Sequence, residues 1–134
     1  MQINKQETQP TRAFSNYKEM CSYARVATSR ILKLGRLLYD SQKHKYYTVL
    51  GYDSWKEFLN DSDIGYAEST VRSFIRIYKL YVLKLAVPNE LLAEIGHSKL
   101  QVIAPVVESD PDWWLELARK MSKNNLIKEV KGEE

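Results

Sequence analysis

The 134-residue chain has one cysteine, Cys21, which excludes an internal disulfide and a cysteine-based zinc site. It has two histidines, His44 and His97. His97, in the stretch IGHSK, is placed for capping or packing at a helix start rather than for catalysis. Glycine-rich phosphate loops and nucleophile elbows are missing. The acidic pairs Asp61/Asp63 and Asp110/Asp112 fall short of a metal loop and read as turn chemistry and helix capping. An enzyme, a cofactor and a metal site are therefore not expected. There is no charged-then-apolar leader, and no apolar run nears the roughly 18 residues of a membrane span. A lone thiol without membrane segments fits a reducing cytoplasm.

The apolar fraction of 44% and the charged fraction of 28% are those of a globular chain of about one domain. The net charge of +3 is unevenly spread. Residues 11–45 hold eight basic groups against Glu19 and Asp40, residues 46–85 hold five against five, and residues 86–134 hold six against nine. A basic front half suggests an anionic partner, or an attraction between the two halves of the chain.

Residues 1–12, polar and containing Pro10, read as a flexible tail. Residues 14–42 lack proline and carry a heptad-like seam of Tyr17, Met20, Ala24, Ala27, Ile31, Leu34 and Leu38. Val26, Leu32 and Leu37 widen it, and Gly35 is its weak point. A helix of roughly 40 Å is longer than a compact small domain needs. It either packs along the whole body or pairs with a copy of itself, making a homodimer through residues 14–42 a possible assembly. Residues 46–50 suit a short helix better than an orphan strand.

The stretch 53–85 makes the clearest functional suggestion. Ser54 with Glu57 forms a capping box for a short helix that buries Trp55, Phe58 and Leu59. Residues 61–65 are turn chemistry, with Gly65 free to take a positive φ. The next helix is expected over 67–85, with Val71, Phe74, Ile75, Tyr78, Val82 and Leu85 on its apolar face. Arg72, Arg76 and Lys79 then cluster on a different face, beside Ser69 and Ser73 and behind Glu68 and Thr70. Short polar groups at the front of a helix, followed by guanidinium groups, are what base-edge and phosphate contacts require. That is a helix-turn-helix layout. Beyond it, residues 89–131 give short bracing helices, with Asp110-Pro111 a strong helix start. Trp113 and Trp114 cannot both face one core, so one is partly exposed.

With these residues in place, the chain resembles a small helix-turn-helix module of phage and plasmid proteins, similar to the central DNA-binding region of ParB-type partition proteins. The likeness covers residues 46–131 and rests on YTVLGYDSWKEFLND, IGYAESTVRSFIRIYKL, IGHSKLQVIAPVV and SKNNLIKEV. It implies that the helix after the IG turn is the recognition helix, with Glu68, Ser69, Thr70, Arg72, Ser73 and Arg76 at the groove. Nothing in these residues matches the nucleotide-binding amino-terminal domain of partition proteins, so neither partition nor a nucleotide switch is implied.

The expected protein is thus all-α: a helix-turn-helix core preceded by a long amphipathic helix and followed by bracing helices, in one domain over 13–131. Its expected function is sequence-specific binding of double-stranded DNA, as a regulator or accessory factor of a phage, plasmid or mobile element. Lys56, Lys79 and basic groups of the first helix would hold phosphates. The alternative is an adaptor or inhibitor that binds a protein partner without touching DNA, using a surface that includes Tyr23, Tyr66 and Tyr81.

Overall fold

A computed structural model describes residues 8–132, and all regular structure among them is helical. The expected tails at 1–7 and 133–134 lie outside the described residues. The order is α1 (Gln9–His44), α2 (Tyr46–Val49), α3 (Trp55–Asp61), α4 (Glu68–Ile77), a π-helical segment (Tyr78–Lys84), α5 (Asn89–Ile95), α6 (His97–Ile103), a 3-10 turn (Val107–Ser109), α7 (Pro111–Lys120) and α8 (Lys123–Lys131).

Helix α1 begins earlier than expected. Thr8 is its N-cap, accepting from the Thr11 amide, and Pro10 lies in the first turn. Proline there lacks only an N–H that would be orphaned anyway, so residues 9–12 belong to the helix rather than to a tail. At the other end, Lys45 in the left-handed region (φ 56°) turns the chain into α2. The capping box at α3 forms in both directions: Ser54 Oγ accepts from the Glu57 amide at 3.0 Å, and Glu57 accepts from the Asp53 amide at 3.3 Å.

Two apolar clusters form the core. One joins Leu38 of α1 to Phe58 and Leu59 of α3 and to Val71, Phe74 and Ile75 of α4. The other gathers Leu32, Ile77, Tyr81, Leu92, Leu100, Ile103, Val107 and Leu126 from both ends of the body. Only α1 and the continuous α4–π element contribute to both, and they cross at Gly35. A Cβ at Gly35 would stand 2.6 Å from the Phe74 carbonyl oxygen, so the missing side chain is what lets the two backbones meet. The weak point of the sequence is the crossing point of the fold.

The covered side of α1 is Thr28, Leu32, Gly35 and Leu38. Ile31 and Leu34 are half-buried, while Tyr17, Met20, Ala24 and Ala27 are exposed. The long helix therefore does not pack along the whole body; the body covers it only from about Thr28 onward. Thr28 repays its burial with a hydrogen bond, its Oγ1 accepting from the His97 amide at 3.2 Å. His97 is thus at the start of α6, packed and half-buried.

Beyond Ile77 the chain departs from the expected single helix. Within the π-helical turns, closed by Leu85 N–H to Leu80 O at 2.9 Å, Tyr81 is fully buried in the core and donates to the Leu100 carbonyl. Tyr81 is therefore not a surface residue, whereas Tyr23 and Tyr66 are exposed. Of the tryptophans, Trp113 is exposed and Trp114 half-buried, its indole donating to Ser109 Oγ at 3.2 Å.

Candidate nucleic-acid interface

Helix α4 is strongly amphipathic because its apolar residues must serve both clusters while its remaining face has no covering element. Val71, Phe74, Ile75 and Ile77 are buried; Ser69, Arg72 and Arg76 are exposed. Arg72 and Arg76, one turn apart, project from the same face. Among the described residues neither has an ion pair or a hydrogen bond. Three carboxylates of the carboxy-terminal half pair with other cations: Glu116 and Glu94 with Arg119, and Glu108 with Lys84 at 2.6 Å. The Arg119 and Lys120 side chains hold the Glu116 carboxyl down to about 2.

Three clefts flank the arginines. The most voluminous of the three, about 720 Å³, is lined by Arg72, Arg76, Lys79 and Lys84 together with Ala104 and Glu108. Ile75, Leu80 and Leu83 supply its apolar lining, and Gln42 of α1 also lines it. A second, about 370 Å³, lies between Ser69, Ser73 and Gln101. A third, about 140 Å³, separates Arg72 and Glu68 from Trp55 of α3. Arg72 lines all three and Arg76 two of them.

The expected site residues divide. Ser69, Arg72 and Arg76 share the open face. Lys79 begins the π segment yet lines the same cleft, its Nζ lying 5.7 Å from the centre of the Tyr39 ring. Ser73 is half-buried and its hydroxyl accepts from Gln101 Nε2, so it braces α4 against α6. Glu68 and Thr70 are half-buried in the first turn of α4, where the Glu68 charge complements the helix dipole. Lys56 is exposed on α3 but lines none of these clefts.

The turn between α3 and α4 spans residues 62–67, longer than the three or four residues usual in a helix-turn-helix. Ile64 is half-buried against the α3–α4 cluster and Gly65 takes φ 77°. Gln42, Gln101, Ala104 and Glu108 frame the arginines without any signal in the local sequence, since only the tertiary fold brings them there. Burial drives the Tyr81 phenol upward, with the Arg76 charge opposing, so beneath the face lies a neutral donor. No cluster of potential metal ligands occurs among the described residues. Their helices include none long and apolar enough to cross a membrane. Neither a family model, nor a curated protein, nor a solved structure matches this chain, so the reading of the α4 face rests on its own geometry.

Proposed function

We propose that this chain binds double-stranded DNA through the open face of α4. The observation that carries the reading is the pair Arg72 and Arg76: adjacent, exposed, without a partner among the described residues, and set between clefts. Two guanidinium forks in that position suit bidentate contacts to guanine edges or phosphates. In this reading the amino-terminal turns of α4, with Ser69 and Arg72, enter the major groove. On the Arg76 and Lys79 side of the largest cleft, away from the Lys84–Glu108 pair, a sugar–phosphate ridge then fits. Lys56 contributes a peripheral phosphate contact, and Ser73 acts by holding α4 to α6 rather than by touching DNA. The resemblance over residues 46–131 points to a regulator or accessory factor of a phage, plasmid or mobile element as the setting.

The test is binding of the purified chain to random and genomic duplex fragments across a salt series, beside an Arg72→Ala/Arg76→Ala variant. Each specific arginine contact is worth about 1–3 kcal/mol, so the double variant should lose about 30-fold or more. Wild-type affinity should fall steeply with salt as counterions are released. Absence of duplex binding at low salt, or equal binding by the variant, would refute the reading and favour a protein-binding adaptor.

A further inference from the structure

Among the described residues, nothing covers the first half of α1. Every residue from Gln9 to Met20 is exposed, and through Ala27 only Cys21 is even half-buried. This projection of roughly 28 Å carries Phe14 at 70%, Tyr17 at 61% and Met20 at 57% exposure. With 100° per residue these three side chains span about 120° of the helix surface, and Ala13, Ala24 and Ala27 fall on the same side. The stripe is contiguous with the side of α1 that the body covers from Thr28 onward. The segment is also rich in Thr, Ser, Asn, Tyr and Phe, which are mediocre helix formers. Isolated helices of about this length are marginal in water. Covering the stripe is what stabilises such a projection.

We infer that the covering element is the same segment of a second copy, running antiparallel about a two-fold axis near Cys21. Residue size sets the direction. The bulky side chains Phe14, Tyr17 and Met20 lie in the amino-terminal half of the projection, and the small Ala24 and Ala27 lie in the carboxy-terminal half. Antiparallel pairing sets bulky against small at both ends, as interdigitating layers require. Parallel pairing would oppose Phe14 to Phe14 and Tyr17 to Tyr17. It would also crowd both bodies at Thr28, whereas the antiparallel arrangement sends them to opposite ends. The area suffices: Phe14, Tyr17 and Met20 alone leave on the order of 400 Å² uncovered per copy at about 200 Å² for each large side chain. With the alanines and flanking stems, the two copies reach the roughly 1,000 Å² of a stable contact.

The proposal does not depend on DNA binding. Sedimentation or light scattering should give twice the 15.7 kDa of one chain at micromolar concentration. Tyr17→Glu with Met20→Glu should halve the mass while leaving the near-ultraviolet spectrum of the body unchanged, since neither residue touches it. A wild-type monomer, or a variant that stays dimeric, overturns the proposal. Direction is read in a Cys21→Ser background by mixing differently tagged chains that carry Ala13→Cys or Ala27→Cys, with a short bismaleimide. Cross-links between the two kinds of chain support the antiparallel pair; cross-links confined to like chains overturn it.

Discussion

Gly35→Ala sets two physical effects of opposite sign against each other. Helix propensity alone favours alanine over glycine in the interior of α1 by about 0.5–1 kcal/mol. The crossing with α4 argues the other way. The new methyl would meet the Phe74 carbonyl oxygen at 2.6 Å and its carbon at 3.2 Å, with Tyr78 Cβ also at 3.2 Å. Ordinary carbon–oxygen approach is about 3.3–3.6 Å, so α1 and α4 must separate by several tenths of an ångström. The obstacle is main chain, which has no rotamer to escape into, and both clusters depend on this crossing. Overpacking of this kind costs about 1–3 kcal/mol, towards the upper end where backbone must move. A net loss of about 2 kcal/mol should follow, lowering Tm by about 8 °C for a chain of this size. Urea unfolding followed by circular dichroism should show a lower midpoint at unchanged slope. Arg30→Gly, at an exposed position of the same helix, calibrates the propensity effect at about 1 kcal/mol. A Gly35→Ala protein more stable than wild type would refute the close crossing.

Other consequences are as direct. Tyr81→Phe leaves the buried Leu100 carbonyl without its donor and should cost about 1–2 kcal/mol in urea unfolding; an unchanged midpoint would show the bond to be dispensable. Ser54→Ala removes the acceptor of the α3 capping box and should cost about 1 kcal/mol, read the same way, with Lys56→Ala as a neutral surface control. His97 is held below its ordinary value by burial first and by Lys123 second. The folded state therefore binds this proton less readily than the unfolded chain. The His97 contribution to stability is complete above about pH 6.5 and is lost as pH falls below it. Midpoints of wild type and His97→Asn should converge as pH falls below about 6.5; a constant difference would remove His97 from the linkage.

Much of this organisation is legible in the residues themselves, because local chemistry decides it. The Ser54–Glu57 box, the Asp110–Pro111 start and the positive φ at Gly65 all form as their residue types demand. The helical class follows from the same periodicities. What local pattern cannot show is which neighbour covers a stripe. The seam of Tyr17, Met20, Ala24 and Ala27 is as apolar as the stretch that follows it, yet the body reaches only from Thr28. Thr28 itself, a polar residue, is buried because the His97 amide lies opposite it, 69 residues away in sequence. At the candidate interface, the arginines are visible from their spacing. Ser73 passes for a groove contact until Gln101 of α6 is found bonded to it.

The π-helical segment shows how a correct period can still misplace side chains. Extended at 3.6 residues per turn, the face through Val71, Phe74, Ile75 and Tyr78 continues to Val82 and Leu85, with Tyr81 only at its edge, about 20° from Phe74. Instead, the element is pressed from several sides: by Leu38, Phe58 and Leu59 at one cluster, by Leu92, Leu100 and Ile103 at the other, and by Gly35 and Tyr39 of α1. Ile77 and Tyr81 are drawn to the second cluster, and the widened turn accommodates them while Val82 and Leu85 stay half-buried. The segment then ends at Ala86 in the left-handed region (φ 50°), a conformation L-residues other than glycine seldom adopt. Widened helical turns of this kind concentrate at functional sites, and this one carries Lys79, Leu80, Leu83 and Lys84 of the largest cleft. Lys79 falls about 20° from Arg72 at the ordinary helical period, and Lys84 lines the same cleft from the far end of the segment. The segment that anchors Tyr81 in the second cluster thus also supplies one side of the proposed DNA-binding face.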